Sequence, residues 1–476
     1  MSAVGSILTN TGALAALNSI SNTATNNNML ESQLSSGLSI NSPADNPAGY
    51  VMAQGLTSQL NGVTQAISNA NQGVSLLQTA QGAISQQVGI VQQLNSISVQ
   101  AANGTQTSQE SQSLQTLAGQ LTGQVSTIAS QTQFNNINLL NGTFSGKQLQ
   151  VGANEGQTMN LSIGNTSATN IGMYATSQGG AYTGATGSAA VTTGATPGVF
   201  AAGTVTITGP SGGNKTLAAL TATESAANVA TAANNVSGTT GVQAEATNTA
   251  TYTVAGGYNF TLQASSGPAN IGGAVAVNAS SLSDAVSQIN KQTSSTGIVA
   301  SSGSGKLTLA QSNGQNIDIT TGAGVSLTAG GGTIGAAATG IQQGQVQFQS
   351  SGAFTVSGAG LGTTVAAAGA QLNSLANINV STTAGANQAI NVVKYALQTL
   401  NNQGAQLGAT QQALTANINN LNTTSQNATQ ALGVVQDANI PQVSNQLTQA
   451  QIQAQAGVAA LKSSTTLQQS YLSLLP

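Results

Sequence analysis

The ionisable side chains of this 476-residue chain are few and widely scattered. Its nine acids are Glu31, Asp45, Glu110, Glu155, Glu224, Glu245, Asp284, Asp318 and Asp437. Its six basic residues are all lysines: Lys147, Lys215, Lys291, Lys306, Lys394 and Lys462. Two carboxylates held close together can work as general acid and base. No sequence cluster brings such a pair together here, and isolated solvated carboxylates are the plainer reading. Cysteine and histidine are both absent. That removes disulfides, thiolate or imidazole metal sites, and Ser–His or Cys–His nucleophile pairs. The sequence therefore predicts no enzyme, no metal and no cofactor.

Charge narrows the partners as well. A net charge of −3 over this length makes no counterion-releasing surface, which argues against nucleic acid. No polybasic patch is present to hold a membrane, and no run of 18 apolar residues can cross one. The opening Met1-Ser2-Ala3-Val4-Gly5-Ser6 lacks the basic and long apolar regions of a secretory signal. The expectation is a protein that stays inside or leaves by a route without a cleaved signal. Only 3% of residues are charged, against a usual ~25%. Solubility must come from Asn, Gln, Ser and Thr.

Long helices must position whatever this chain presents. Leu56, Leu60, Val63, Ile67, Ala70, Val74, Leu77, Gln81, Ile84, Val88 and Val91 alternate steps of four and three. A second seam holds Ile390, Val393, Leu397, Leu400, Gly404, Leu407, Gln411, Leu414, Ile418, Leu421, Ser425, Ala428, Leu432 and Val435. Sustained heptad spacing buries one stripe of a helix against a partner helix. The obvious partner of each seam is the other. The fold expected is multi-domain α+β: a long antiparallel coiled-coil or helical-bundle rod from the two terminal regions, with β-rich domains inserted between them. That is a building block, not an enzyme scaffold.

Residues 1–40 read as helical, and the segment Asn41 to Gly49, with Pro43 and Pro47, breaks that helix. The first seam helix is expected from about 52 to 102, roughly 75 Å long. A shorter helix carrying Leu114, Leu117, Leu121, Val125 and Ile128 follows. Past about residue 140 the texture turns to Gly, Thr, Ser and Val, as in Thr204–Thr208 and Lys306–Leu309, which suits strands with Gly-rich turns. Within it Ser225–Val229 through Thr240-Gly241-Val242 matches Ser281–Ala285 through Thr296-Gly297-Ile298 at a constant offset of 56. A duplicated β/α unit, about 204–250 and 260–310, is the reading. Near 386 the second seam helix begins, and a last amphipathic segment runs through Val443, Leu447, Ala450, Ala454, Val458, Leu461 and Leu474.

Several short motifs resemble bacterial flagellin. They are Leu34-Ser35-Ser36-Gly37-Leu38-Ser39-Ile40-Asn41-Ser42, Ala44-Asp45 and Gln131-Thr132-Gln133-Phe134-Asn135 near one end. Near the other stand Asp437-Ala438-Asn439, Gln449-Ala450-Gln451-Ile452, Gln455-Ala456-Gly457 and Leu472-Ser473-Leu474-Leu475. The resemblance covers roughly 1–150 and 385–476. It implies a subunit of the flagellar filament used for swimming, secreted to the cell exterior. Segments 1–40 and 440–476 would form the inner tube, 41–175 and 385–439 the outer tube, and 176–384 the β-rich projection. Leu34, Leu38, Val443, Leu447, Val458, Leu461 and Leu474 would then meet neighbouring subunits, on the reading that neither terminal stripe has cover within the chain. Implied partners are other copies of the chain, an export chaperone, the filament cap protein and hook-associated proteins.

The chain departs from the family pattern in its charges. Ser39 stands where the family usually has arginine, and Asn46 where it has a second acid. In flagellins recognised by the vertebrate flagellin-sensing Toll-like receptor, an arginine and a glutamate fall at the positions of Gln93 and Leu117. Two other readings share these features: a hook–filament junction protein, and a secreted adhesin on a coiled-coil stalk. A glycan-binding adhesin would be expected to show an aromatic cluster, and the chain has no tryptophan and only 7 tyrosines and 6 phenylalanines. The flagellin-like chains that carry a zinc protease need a His-Glu-x-x-His helix, which a chain without histidine cannot supply.

Overall fold

The computed structural model describes residues 10–176, 203–220, 224–266, 270–329, 332–359 and 370–472. Its helices are α1 (Thr11–Ser36), α2 (Pro47–Ala101), α3 (Ser108–Gln131), α4 (Ala226–Asn235), α5 (Ser237–Thr240), α6 (Leu282–Lys291), α7 (Thr293–Thr296), α8 (Thr383–Gln436) and α9 (Ile440–Leu472). Short strands fill the region between α3 and α8. Two compact units result, each assembled from distant segments. One comprises Met1–Leu77, Gly146–Leu161 and Ala409–Pro476; the other comprises Gln78–Ser145 and Ser162–Gly408.

Helix α2 begins at Pro47, earlier than the residue 52 read from the sequence. Proline suits the first helical position, where its missing N–H would have no partner and its fixed φ already fits. Just before it, Asn46 Oδ1 accepts the Gly49 N–H at 2.9 Å and caps the helix. Helix α3 opens on a capping box: Thr107 Oγ1 accepts from Glu110 N at 3.3 Å, and Glu110 Oε2 accepts from Thr107 N at 2.8 Å.

The two seams face each other. In the first unit a Cβ added to Gly73 would lie 3.2 Å from Leu414 Cδ1. In the second unit one added to Gly404 would lie 3.9 Å from Ile84 Cγ2, and one at Gly408 3.7 Å from Gln81 Nε2. As the number on α2 rises, its partner on α8 falls, so the helices run antiparallel. Val63, Leu77, Ile84, Val393, Leu400, Leu407 and Leu414 are buried; Leu56, Leu60, Ile67, Val74, Val88, Ile390, Leu397, Ile418 and Leu421 are half-buried.

Burial on α2 is wider than one seam. Ala66, Gly73, Ala80, Gln87 and Leu94 are buried although the heptad reading leaves them aside. This second stripe meets other elements. In the first unit the hairpin of strands Lys147–Gln150 and Thr158–Leu161 packs on it: a Cβ on Gly62 would come 2.9 Å from Ala153 Cβ, and one on Gly73 2.5 Å from Leu149 Cδ2. In the second unit Gln87 is fully buried, and its Nε2 donates to the carbonyls of Val125 at 3.0 Å and Thr166 at 3.3 Å. Small residues at heptad spacing were the available signal for this stripe.

The β-rich part of the second unit has two apolar cores. One lies among the three-stranded sheet, α4 and the strands Gln243–Ala255 and Gln345–Ser350. The other lies between a four-stranded sheet (Asn270–Ala279, Tyr258–Ser265, Asn316–Thr321, Thr339–Gln342) and the distal strands of an eight-stranded sheet. The same local construction occurs in both, 56 positions apart. Ser225 and Ser281 cap α4 and α6, and Gly241 and Gly297 take the left-handed conformation (φ 66° and 69°) after α5 and α7. Asn234 exchanges two hydrogen bonds with the backbone of Ala244 (2.9 and 2.8 Å), and Asn290 does so with Ala300 (2.8 and 2.8 Å). Strand Gln243–Ala255 is tied to α8 by side chains: Tyr395 Oη donates to Gln243 Oε1 at 3.1 Å and Asn391 Nδ2 to Glu245 Oε2 at 3.2 Å. Burial, and secondarily the Glu245 charge, push the Tyr395 phenol up to about 12.

Glycines on α2 are not equivalent. Gly82 and Gly89 face open space, whereas Gly73 is closed in by Leu149 and Leu414. Replacing a helical glycine by alanine where there is room gains about 1 kcal/mol. Gly82→Ala and Gly89→Ala should therefore each raise the urea midpoint of the monomer by that amount, while Gly73→Ala should show no gain. Equal stabilisation at all three sites would mean that the second buried stripe is not packed as described.

Candidate assembly surface

The motifs from opposite ends of the sequence meet in the first unit. Helix α1 ends at Gly37, whose φ of 72° is left-handed and whose N–H reaches Gln33 O. A side chain there would be strained. The chain then runs beside the end of α8: Leu38 bridges to Asp437, and Ala438 N donates to Gly37 O at 2.9 Å. Ser39 N and Oγ both donate to Gln436 O, at 2.6 and 3.1 Å. The residue that replaces the family's usual arginine is thus a short hydroxyl stitched to the backbone. Asp45 closes the loop, its Oδ2 accepting from Ser42 N (2.8 Å), Asn41 N (3.0 Å) and Ser42 Oγ (3.1 Å). These donors, the Ser42 N–H first, hold its carboxyl below the ordinary range.

Helices α1 and α9 cover each other, which corrects the expectation that neither has cover within the chain. Leu30, Val443 and Ala450 form a small buried core with Leu447 and Ala438 against it. A Cβ on Gly457 would come 2.9 Å from Ile20 Cγ1, and Asn10 Oδ1 accepts from Ser464 Oγ at 3.2 Å. Val443 is buried against its own chain, so it is not free to meet a neighbour. Leu447 packs on the same core, and Leu38 and Leu461 are half-buried. Leu34 and Val458 stay exposed, and Leu474 lies outside the described residues.

The cover is incomplete because each terminal helix carries more apolar positions than one partner can take. Leu14 (61% exposed), Leu17, Met29, Ile440, Ile452 and Leu467 remain in solvent beside Leu34 and Val458. Near the α2 and α8 ends of the same unit, Val51, Met52 and Val434 (88% exposed) do likewise. In the second unit Gln93 and Leu117 are both exposed, on α2 and α3. No group of three or more acids that could hold a metal occurs among the described residues. The geometry offers apolar stripes and amide-lined turns for assembly.

Comparison with known proteins is decisive for the family. A model of the bacterial flagellin N-terminal helical region matches residues 7–145, and one of the C-terminal helical region matches residues 390–475. A B-type flagellin of Pseudomonas aeruginosa is 33% identical over 97% of this chain and 98% of its own length. The chain belongs to the bacterial flagellin family. Flagellin B of Vibrio anguillarum is 38% identical over 33% of this chain and 42% of its own. Among solved structures, FliC from Burkholderia pseudomallei aligns over 72% of this flagellin and 99% of its own chain, at 19% identity and a TM-score of 0.30. A flagellin relative over the whole length favours the filament over the hook–filament junction. This flagellin is a structural subunit that self-assembles into the extracellular flagellar filament.

Proposed function

We propose that the half-covered pair α1/α9 is the polymerisation element, and that its exposed stripe is buried only against neighbouring copies. The observation that carries this is the run of exposed Leu14, Leu17, Met29, Leu34, Ile452 and Val458 on helices that already share a core. Burying each such side chain stabilises by about 1.5–3 kcal/mol. On this reading α1 and α9 line the inner tube, and α2, α3 and α8 with the hairpin build the outer one. The seam residues then act as a coiled coil that stiffens each subunit. Residues 176–384 project outward. Secretion without a cleaved signal, and contact with an export chaperone, the cap protein and hook-associated proteins, belong to the same reading. Removal of residues 440–476 should leave a soluble monomer that forms no filaments by electron microscopy. Long fibres from the truncated chain would refute the assignment.

The scarcity of charge suits an acidic exterior, as an acidophile would meet. Protonating every carboxylate moves the side-chain charge only from −3 to +6, whereas a charge-rich protein becomes strongly cationic and self-repelling. Asp45 and Glu110 have carboxyls held down by hydrogen bonds, chiefly from the Ser42 and Thr107 backbones. Their stabilisation is present above the ordinary carboxylate range and is lost as pH falls through the lowered values. Burial raises Asp318 instead, so that group favours the fold as acid is added. Filaments should keep their length at pH 2–3 under conditions that depolymerise a charge-rich flagellin. Equal depolymerisation of both would remove the adaptation argument.

Recognition by the flagellin-sensing receptor should be weak. Gln93 can donate a hydrogen bond but has neither the charge nor the planar fork of arginine. Leu117 would leave a receptor donor unpaired, at a cost of ~1–3 kcal/mol once buried. Two such losses predict at least a hundredfold weaker signalling by purified monomer. Activity within about tenfold of a responsive flagellin would overturn this.

A further inference from the structure

One face of the four-stranded sheet holds oxygens that lack donors. Strand Asn316–Thr321 alternates: Ile317 and Ile319 enter the apolar core, and Asn316 and Asp318 face the other side. In the antiparallel register Asn316 lies opposite Ser265, and Asp318 one row along opposite Gln263. Ser265 and Asn316 are 0% and 2% exposed. Asn316 Oδ1, Asp318 Oδ1 and Ser265 Oγ are buried without a hydrogen-bond partner. Burial raises the Asp318 carboxyl, and the neighbouring Ser265 hydroxyl acts in the opposite sense, which places those two side chains side by side.

Their hydrogen-bonding capacity does not balance. Ser265 has one proton to give, and Asp318 and Asn316 each present an acceptor oxygen. After Ser265 donates to one, the other stays orphaned beside an uncompensated carboxylate. Native interiors rarely leave such groups unpaired. A proton on Asp318 would cancel the charge but leaves the Ser265 oxygen without a donor. A cation would engage all three oxygens at once.

We propose that this face binds one calcium ion through Asp318, Asn316 and Ser265. A carboxylate, an amide carbonyl and a hydroxyl are hard oxygen ligands, and calcium tolerates irregular sets of them better than magnesium does. A single charged ligand places the affinity with weak extracellular sites, at a Kd of about 0.1–1 mM. The partly open position of Asp318 gives the ion a way in.

The test is calorimetric titration of the full-length subunit with calcium chloride at neutral pH, beside melting curves with and without the ion. Wild type should bind one calcium per chain and melt higher in its presence. Asp318→Asn keeps the shape and removes a buried charge. It should melt no lower than wild type without calcium, yet lose at least tenfold in affinity. Asn316→Ala should also bind more weakly. Without calcium, the raised Asp318 carboxyl makes stability fall as pH rises through its titration, and calcium should suppress that fall. No saturable binding below about 10 mM, well above the range of such sites, would overturn the proposal. So would wild-type affinity in Asp318→Asn, or a pH-dependent fall in stability that calcium leaves unchanged, the result expected if a proton is the occupant.

Discussion

The antiparallel match of α2 with α8 is the contact on which the other elements depend. Each helix is too rich in Gly, Asn, Ser and Thr to be stable alone, so its order comes from tertiary packing. In each unit the seam supplies that packing, and it also fixes which residues of α2 remain for a second layer. Small side chains occupy that layer where the hairpin crosses in the first unit, because the backbones approach closely at Gly62 and Gly73. In the second unit the layer admits Gln87, and its amide is tolerable only because two carbonyls accept from it. A shift of the seam by one residue would put Gln87 against nothing and turn Gly73 away from Leu149.

Neutral amides and hydroxyls do the work that charges do in most proteins of this size. Asn46 caps α2, Ser39 ties the loop to α8, and Asn234 and Asn290 hold strand backbone in the two repeated units. Gln115 bridges α3 to the segment before α8, donating to Ile378 O at 3.1 Å and accepting from Val380 N at 2.6 Å. Such bonds are as strong at pH 3 as at pH 7, because no partner titrates. Exposed ion pairs contribute only about 0–1 kcal/mol each, so replacing them costs little stability. What is gained is a set of contacts that acid does not touch. Asp45 and Glu110 are exceptions, both at loop or helix-start positions where backbone N–H groups need an acceptor.

Periodic features were legible in the sequence, and features made by contact between distant segments were not. The 3.5-residue spacing gave both long helices and their pairing, since one uninterrupted apolar stripe demands another. The 56-residue repeat was visible through Asn234, Asn290 and the two Thr-Gly pairs, and its reason emerges only in three dimensions: each Asn spans ten residues to a strand. By contrast, Pro43 and Pro47 look alike as helix breakers, yet Pro47 begins α2. The second buried stripe, Ala66, Gly73, Ala80 and Gln87, carries too little hydrophobicity to register as a stripe. The oxygen cluster at Asp318 depends on cross-strand register, which periodicity does not specify. On the terminal helices the sequence showed apolar stripes but not that α1 and α9 would share one of them.

That sharing bears on how a subunit can be both soluble and ready to polymerise. If α1 and α9 were bare, their whole apolar surface would be open to indiscriminate contact before assembly. If they covered each other completely, no driving force would remain for a neighbour. The small core of Leu30, Val443 and Ala450 removes part of the surface and sets the two helices antiparallel. The remaining Leu, Met, Ile and Val side chains are then displayed in a fixed order along a paired scaffold. Low charge reinforces this balance, since no like-charge repulsion opposes the approach of a second copy and none has to be neutralised by salt. Specificity must come from shape: which side chains protrude, at what spacing, and where the glycines let helices close in. In a polymer that repeats one contact many times, a packing code of this kind holds its meaning across pH in a way that a charge code does not.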